Sequence, residues 1–131
     1  MHSLIIGAAG MIGRKLTDRL LADRRLGRHD IDRLTLVDVV TPTPPPGAEA
    51  VTARAADLSA PGVAESLAAT RPDLIFHLAG VVSGEAEADF AKGYRVNLDG
   101  TRLLFEAIRK IGGGYRPRVV FTSSIAVFGA P

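Results

Sequence analysis

The chain has no cysteine, which excludes disulfides, thiolate zinc sites and thiol nucleophiles and leaves the redox compartment open, a reducing cytoplasm being the default. Tyrosine is scarce, with two residues in the chain, and aromatics make up 5%. Charge of one sign is missing as well: 16 Lys and Arg oppose 14 Asp and Glu, and the arginines are scattered, so no basic stripe is available for a nucleic acid. No apolar run approaches a membrane span, and the short one in Met1 to Gly7 follows no basic region of the signal-peptide kind. These absences read as a cytoplasmic protein with neither a nucleic-acid nor a membrane partner. What is there, 131 residues that are 47% hydrophobic and 23% charged, is ordinary for one globular domain. At this length about two thirds of the unfolded chain's surface can be buried.

Leu4-Ile5-Ile6 is a short aliphatic run that stops at Gly7, as a buried parallel strand does. From Met11 the period changes: Ile12, Leu16 and Leu20 fall four apart with charged residues between them, which predicts an amphipathic helix to about Leu26. A second strand is expected over Leu34 to Val40, and the prolines from Pro42 to Pro46 then exclude a helix. A weak third strand is expected over Val51 to Ala55, then a helix opened by Ser59-Ala60-Pro61 and ending before Pro72. Leu74 to Leu78 reads as the fourth strand. One long helical region follows from about Ala86 to Ile111, with Tyr94, Leu98, Thr101, Leu104 and Ile108 on one stripe and three glycines ending it. Val119 to Thr122 is the fifth strand. This alternation predicts an α/β fold of the Rossmann type, a doubly wound parallel sheet of order 3-2-1-4-5, truncated after strand five.

Between the first strand and the first helix stands Gly7-Ala8-Ala9-Gly10-Met11-Ile12-Gly13. Such a turn brings backbone N–H groups against a pyrophosphate, where a side chain would block the approach and the helix N-terminus supplies favourable charge. By itself a glycine triplet is equally what a tight strand-to-helix turn requires. The strand before it, the helix after it and an acid beyond the next strand agree on nucleotide binding. That acid is Asp38, 25 residues after Gly13. Its carboxylate suits the ribose hydroxyls of an adenosine but opposes a 2′-phosphate, since like charges ~4 Å apart cost roughly 4 kcal/mol at an effective dielectric near 20. Val39 and Val40 follow it, so no adjacent Arg accommodates a phosphate, and NAD is expected rather than NADP. An incidental surface acid at a strand end is the alternative.

The Gly-x-x-Gly-x-x-Gly spacing is followed, in order, by Asp57-Leu58, His77-Leu78-Ala79-Gly80, Asn97-Leu98-Asp99-Gly100-Thr101 and the run from Thr122-Ser123-Ser124 to Gly129. This series resembles the extended short-chain dehydrogenase/reductases, the NAD-dependent epimerase/dehydratase family, over essentially the whole chain. The resemblance implies that Gly7, Gly10, Met11, Ile12 and Gly13 cradle the pyrophosphate of NAD and that Asp38 holds the adenosine ribose. It further implies that Asp57 and Leu58 meet the adenine, that Leu78, Ala79 and Gly80 line the ribose and diphosphate side, and that Asn97 and Thr122 border the cofactor. Apart from the family, an amide at Asn97 on an apolar helical stripe needs partners once buried, and satisfying backbone groups near strand four accounts for it as well as cofactor contact does. Ser124 matches the family position whose hydroxyl hydrogen-bonds the reacting oxygen of the substrate; a turn hydroxyl is the plainer account. Phe128 stands where the family usually has Tyr. Residues 77–87, 34–40 and 93–101 look most like the D-erythronate dehydrogenases, which oxidise the 2-hydroxyl of a four-carbon sugar acid, and on that likeness Ser83 touches substrate. His77 reads as a core residue at a strand end, and Glu85, Glu87 and Asp89 as a solvated helix start, so no metal is expected.

The family's Tyr-x-x-x-Lys, whose Tyr takes the hydroxyl proton while hydride passes to the nicotinamide, does not occur: Leu98 and Val119 stand four residues after Tyr94 and Tyr115. Residues 1–131 are therefore expected to be the NAD-binding N-terminal portion of a longer enzyme, without the Tyr-Lys helix and the C-terminal substrate part, and inactive alone. For the intact protein the expectation is a homodimer oxidising a small sugar acid with NAD. A sugar-nucleotide epimerase or dehydratase of the same family, or a non-catalytic NAD-binding module, are the alternatives. Strand five should form an unpaired sheet edge, and the Tyr94, Leu98 and Leu104 side of the long helix should lie uncovered, both favouring self-association.

Overall fold

A computed structural model describes residues 1–46 and 48–129, apart from the side chain of Ala126. Five strands, β1 (His2–Ile6), β2 (Arg33–Asp38), β3 (Val51–Ala55), β4 (Leu74–His77) and β5 (Arg118–Phe121), form one parallel sheet in the expected order 3-2-1-4-5. Strand β1 is central and buried throughout, with Ile5 in register between Leu36 of β2 and Phe76 of β4. Successive side chains alternate across the sheet, so the core divides in two. Leu4, Ile6, Val37 and Ile75 pack on one face with Leu58, Leu67 and Leu104. Ile5, Leu34, Leu36, Leu74 and Phe76 pack on the other with Leu20. The chain runs outward one way from β1 to β3 and the other way from β4 to β5, so a crevice opens between the carboxyl ends of β1 and β4, where a doubly wound sheet takes its ligand.

Among the described residues five α-helices complete the layers: α1 (Met11–Asp23), α2 (Val63–Ala69), α3 (Ser83–Ala88), α4 (Phe90–Gly93) and α5 (Thr101–Ile111). Several boundaries differ from expectation. Helix α1 stops at Asp23 rather than Leu26, because Arg24 turns left-handed (φ 51°). Arg25–Leu26 and His29–Asp30 then pair as a small antiparallel hairpin. Strand β2 ends at Asp38, leaving Val39 and Val40 exposed beyond it. Helix α2 begins at Val63 behind the left-handed Gly62 (φ 78°), not at Ser59. The single helix expected from Ala86 to Ile111 is broken. Asp89 leaves helical geometry (φ −132°, ψ 85°), and its Oδ1 accepts the N–H of Lys92 at 2.9 Å to start α4. A π-helical segment, Tyr94–Gly100, then leads into α5. The stripe read from the sequence is split accordingly: Tyr94 and Leu98 are exposed, whereas Leu104, expected to be uncovered, is fully buried in the core. Strand β5 lies at the sheet edge as expected, with Val120 and Phe121 exposed.

Candidate functional site: a cleft at the carboxyl ends of the strands

The turn after β1 is fixed from within. The N–H groups of Gly7 and Ala8 both donate to the carbonyl of Val37, at 2.8 and 3.1 Å. Gly7 sits at φ 91°, and a Cβ there would lie 2.6 Å from the backbone nitrogen of Ala79. A Cβ at Gly13 would lie 2.2 Å from the carbonyl oxygen of Gly7, so these two glycines let α1 seat on β1 and β1 approach the loop after β4. Gly10 is different. Its backbone is ordinary (φ −69°), and a Cβ would come no nearer than 3.4 Å to the Gly7 carbonyl. The chain's own packing does not require a glycine there. Gly10 is also the N-cap of α1, no side chain caps that helix, and its first turn carries no acid. Met11 and Ile12 in that turn are 64% and 54% exposed. Ile12 is thus no core residue, despite its place in the apolar period. No acid of its own first turn meets the positive end of this helix dipole, and the Asp38 carboxylate bonds the N–H of Ala9, one residue ahead of the cap.

Asp38 closes one rim. Its Oδ2 accepts the N–H of Ala9 at 2.8 Å and its Oδ1 that of Val39 at 2.7 Å, so the carboxylate is tied to the glycine turn and to its own strand end. Each oxygen keeps a further acceptor site. Asp38, Asp57, Leu58, Gly7 and Ala79 line one narrow cleft with Val96, and no Lys or Arg is among its lining residues. The Oδ1 of Asp57 accepts the N–H and the hydroxyl of Ser59 at 2.9 and 2.6 Å. The hydroxyl bond above all holds this carboxyl below its usual range. Leu58 is buried, with its side chain 3.6 Å from where a Cβ of Gly100 would stand.

On the opposite side, the N–H of Leu78 still pairs with the carbonyl of Ile6 at 2.8 Å. Beyond it Asn97 uses both ends of its amide on one residue: Oδ1 accepts the N–H of Val81 at 2.8 Å and Nδ2 donates to its carbonyl at 3.0 Å. His77 is wholly buried, as expected of a core strand end. Its Nε2 lies 2.9 Å from the hydroxyl of Thr101, which itself donates to the carbonyl of Asn97 at 2.9 Å. A hydroxyl has one proton, so Nε2 carries the ring proton and Nδ1, which has no partner among the described residues, is bare. Burial pushes the His77 pKa down, in keeping with a neutral ring. Thr122 joins the same strand end, its N–H and hydroxyl reaching the carbonyl of His77 at 3.2 and 3.3 Å. Thr101 and Val81 were not expected at the site; the signal for Thr101 was there, a hydroxyl on an apolar stripe four residues after Asn97.

Ser83 starts α3 and borders an apolar hollow with Phe90, Tyr94, Asn97 and Leu98. Ser124 is exposed, ahead of the 3-10 turn Ile125–Phe128, and its carbonyl accepts the N–H of Val127 at 3.3 Å. It lines neither cavity. A broader groove at the opposite ends of the strands, bordered by Met1, Asp73 and Arg118, contains none of the expected site residues. No cluster of three metal-ligating side chains occurs among the described residues, and no helix among them is long and apolar enough to cross a membrane.

Residues 3–131 match the NAD dependent epimerase/dehydratase family. The chain belongs to this family. D-Erythronate dehydrogenase of Cupriavidus necator is 48% identical over 134 aligned positions, covering 98% of this chain and 40% of that protein. D-Erythronate dehydrogenase of Haemophilus influenzae is 37% identical, covering 98% and 39%. Among solved structures, one described as the nucleoside-diphosphate-sugar epimerase from Agrobacterium tumefaciens superposes with a TM-score of 0.95 at 67% identity, over all of this chain and 39% of that one. MoeE5 in complex with UDP-glucose and NAD superposes with a TM-score of 0.74 at 26% identity, again over all of this chain and 39% of that one. The chain thus spans about 40% of the length of the curated relatives it matches. NAD is the cofactor of the family to which the chain belongs.

Proposed function

We propose that this chain is the NAD-binding part of an oxidoreductase that oxidises a hydroxyl of a small sugar acid. The observation that carries the reading is the division of labour among the three glycines. Two are required by the fold, and the third, at the uncapped start of α1, is explained by an anion that must approach the backbone closely. A pyrophosphate has that chemistry. On this reading Gly7, Gly10, Met11, Ile12 and Gly13 form its cradle, and Asp38 takes the ribose hydroxyls. Asp57 and Leu58 border the adenine, and Leu78, Ala79, Gly80, Asn97 and Thr122 form the far wall. Asp38, with no Lys or Arg among the residues that line the cleft, favours NAD over a cofactor carrying another phosphate, whereas Asp57 is partly offset by Arg95.

When bound, NAD supplies the hydride acceptor. Ser124 would hold the reacting hydroxyl by a hydrogen bond, with Ser83 touching the substrate beside the α3 start. The general base of the family, the Tyr of Tyr-x-x-x-Lys, is not among these 131 residues, so they are not expected to turn over substrate alone. Two relatives named D-erythronate dehydrogenase favour a four-carbon sugar acid. A sugar-nucleotide epimerase is the second reading, favoured by the description of the Agrobacterium structure at 67% identity.

Gly10→Ala tests the cradle. It should cost about 1 kcal/mol or less of stability through the helix cap, yet weaken NAD by more than about tenfold in calorimetry, since the methyl group occupies the approach. Gly13→Ala serves as the contrast, expected to unfold the turn. Undiminished NAD affinity in a folded Gly10→Ala chain would overturn the cradle.

A further inference from the structure

We propose that Asn97 and Thr101 are positioning residues that hold the Leu78–Gly80 part of the cleft's far wall in place, an inference that rests on the NAD reading of that cleft. The wall needs such support. Sheet pairing of β4 with β1 ends at His77, and Leu78 makes one more bond to Ile6. Among the described residues, no backbone–backbone hydrogen bond reaches Ala79, Gly80 or Val81. A segment left so would open locally at little cost.

Two side-chain rungs replace the missing ladder. The first joins His77 Nε2 to Thr101 Oγ1, and the second joins Val81, through both its N–H and its carbonyl, to the Asn97 amide. The rungs are four residues apart on each side, His77 to Val81 on the loop and Thr101 back to Asn97 on the helix. The two helical residues are themselves linked, since the Thr101 hydroxyl donates to the Asn97 carbonyl. The result is a closed frame whose open side is Leu78-Ala79-Gly80. Gly80 lies beside it: a Cβ there would lie 3.4 Å from Asn97 Oδ1, ordinary contact distance. Both polar ends of the Asn97 amide are engaged in the frame. Its helical side is the π segment Tyr94–Gly100 and the first residue of α5, and π turns inside helices recur at functional sites.

The frame does its work before ligand arrives, by holding the wall in the shape that receives it. Thr101→Val keeps the side-chain shape and removes both hydroxyl bonds; Asn97→Ala removes the second rung. Each should weaken NAD in calorimetry by about tenfold, the scale of one or two lost hydrogen bonds. Each should also speed hydrogen exchange at Ala79, Gly80 and Val81 in the ligand-free chain, leaving β1 and β2 protected as before. Thr101→Ser should restore both. The double variant should weaken NAD by less than the product of the single effects, because both act on one frame. NAD affinity within twofold of the parent for both single variants, with unchanged exchange at residues 79–81, would overturn the proposal. So would a loss of protection spread evenly over β1 and β2, which marks a merely structural role. If the parent chain binds no NAD, the failure belongs to the NAD reading, and local exchange at residues 79–81 alone decides whether the frame exists.

Discussion

At the scale of single residues, His77 shows how a chemically versatile side chain is put to a plain use. Its ring is sealed between β4 and α5, tilted against Phe121 with centroids 5.3 Å apart. A second ring proton would have no acceptor at Nδ1. Burial therefore holds the His77 pKa below its ordinary value of 6.5, and the unfolded chain takes up the proton first as pH falls. The contribution to stability is complete above that ordinary value and is lost progressively as pH drops through the folded-state pKa. His2, whose pKa is lowered by burial and by Arg33, acts in the same direction. Urea midpoints measured from about pH 7.5 down to about pH 5 should fall in the parent chain and fall less steeply in His77→Gln, which offers Thr101 an N–H but cannot titrate. An identical slope in the two would contradict the assignment.

At the scale of elements, strands were more legible than helices. Leu4, Ile5 and Ile6 announce β1 because a central strand buries both faces, and the prolines after β2 leave a loop as the only choice. The glycine turn and Asp38 were legible for the same reason, since their chemistry depends on residue type and position alone. The break at Asp89 and the π segment were not. The three-to-four spacing runs on from Tyr94 through Leu98 and Thr101 to Leu104, and nothing in that spacing tells a continuous α-helix from one re-phased midway. Nor does sequence reveal that Asp38 fastens the turn through Ala9, because that bond depends on how β1 and β2 end side by side. Leu104→Ala should cost ~2–5 kcal/mol in chemical denaturation. Leu98→Ala should stay within about 0.5 kcal/mol. Equal losses would contradict the burial of Leu104 and the exposure of Leu98.

At the scale of the whole molecule, the described surface carries much apolar area for a chain of this size. Phe90, Tyr94 and Leu98 are exposed on the helical side, and Val120 and Phe121 on the edge strand, with Ile125 and Phe128 beyond it. An unpaired strand edge beside exposed aromatics favours association. The 131 residues by themselves are expected to scatter light as more than a monomer and to bind an apolar dye. A monodisperse monomer that melts cooperatively without dye binding would contradict this.

The NAD reading of the cleft is tested most directly by calorimetric titration of the folded chain with NAD and with NADP, in parallel and at the same ionic strength. Asp38 lines the cleft with no Lys or Arg among the lining residues, so NAD should bind and NADP should bind at least about tenfold more weakly. Asp38→Asn, which retains an acceptor for Ala9 while removing the charge, should narrow that gap. Equal affinities for the two dinucleotides, or a gap unmoved by Asp38→Asn, would contradict it.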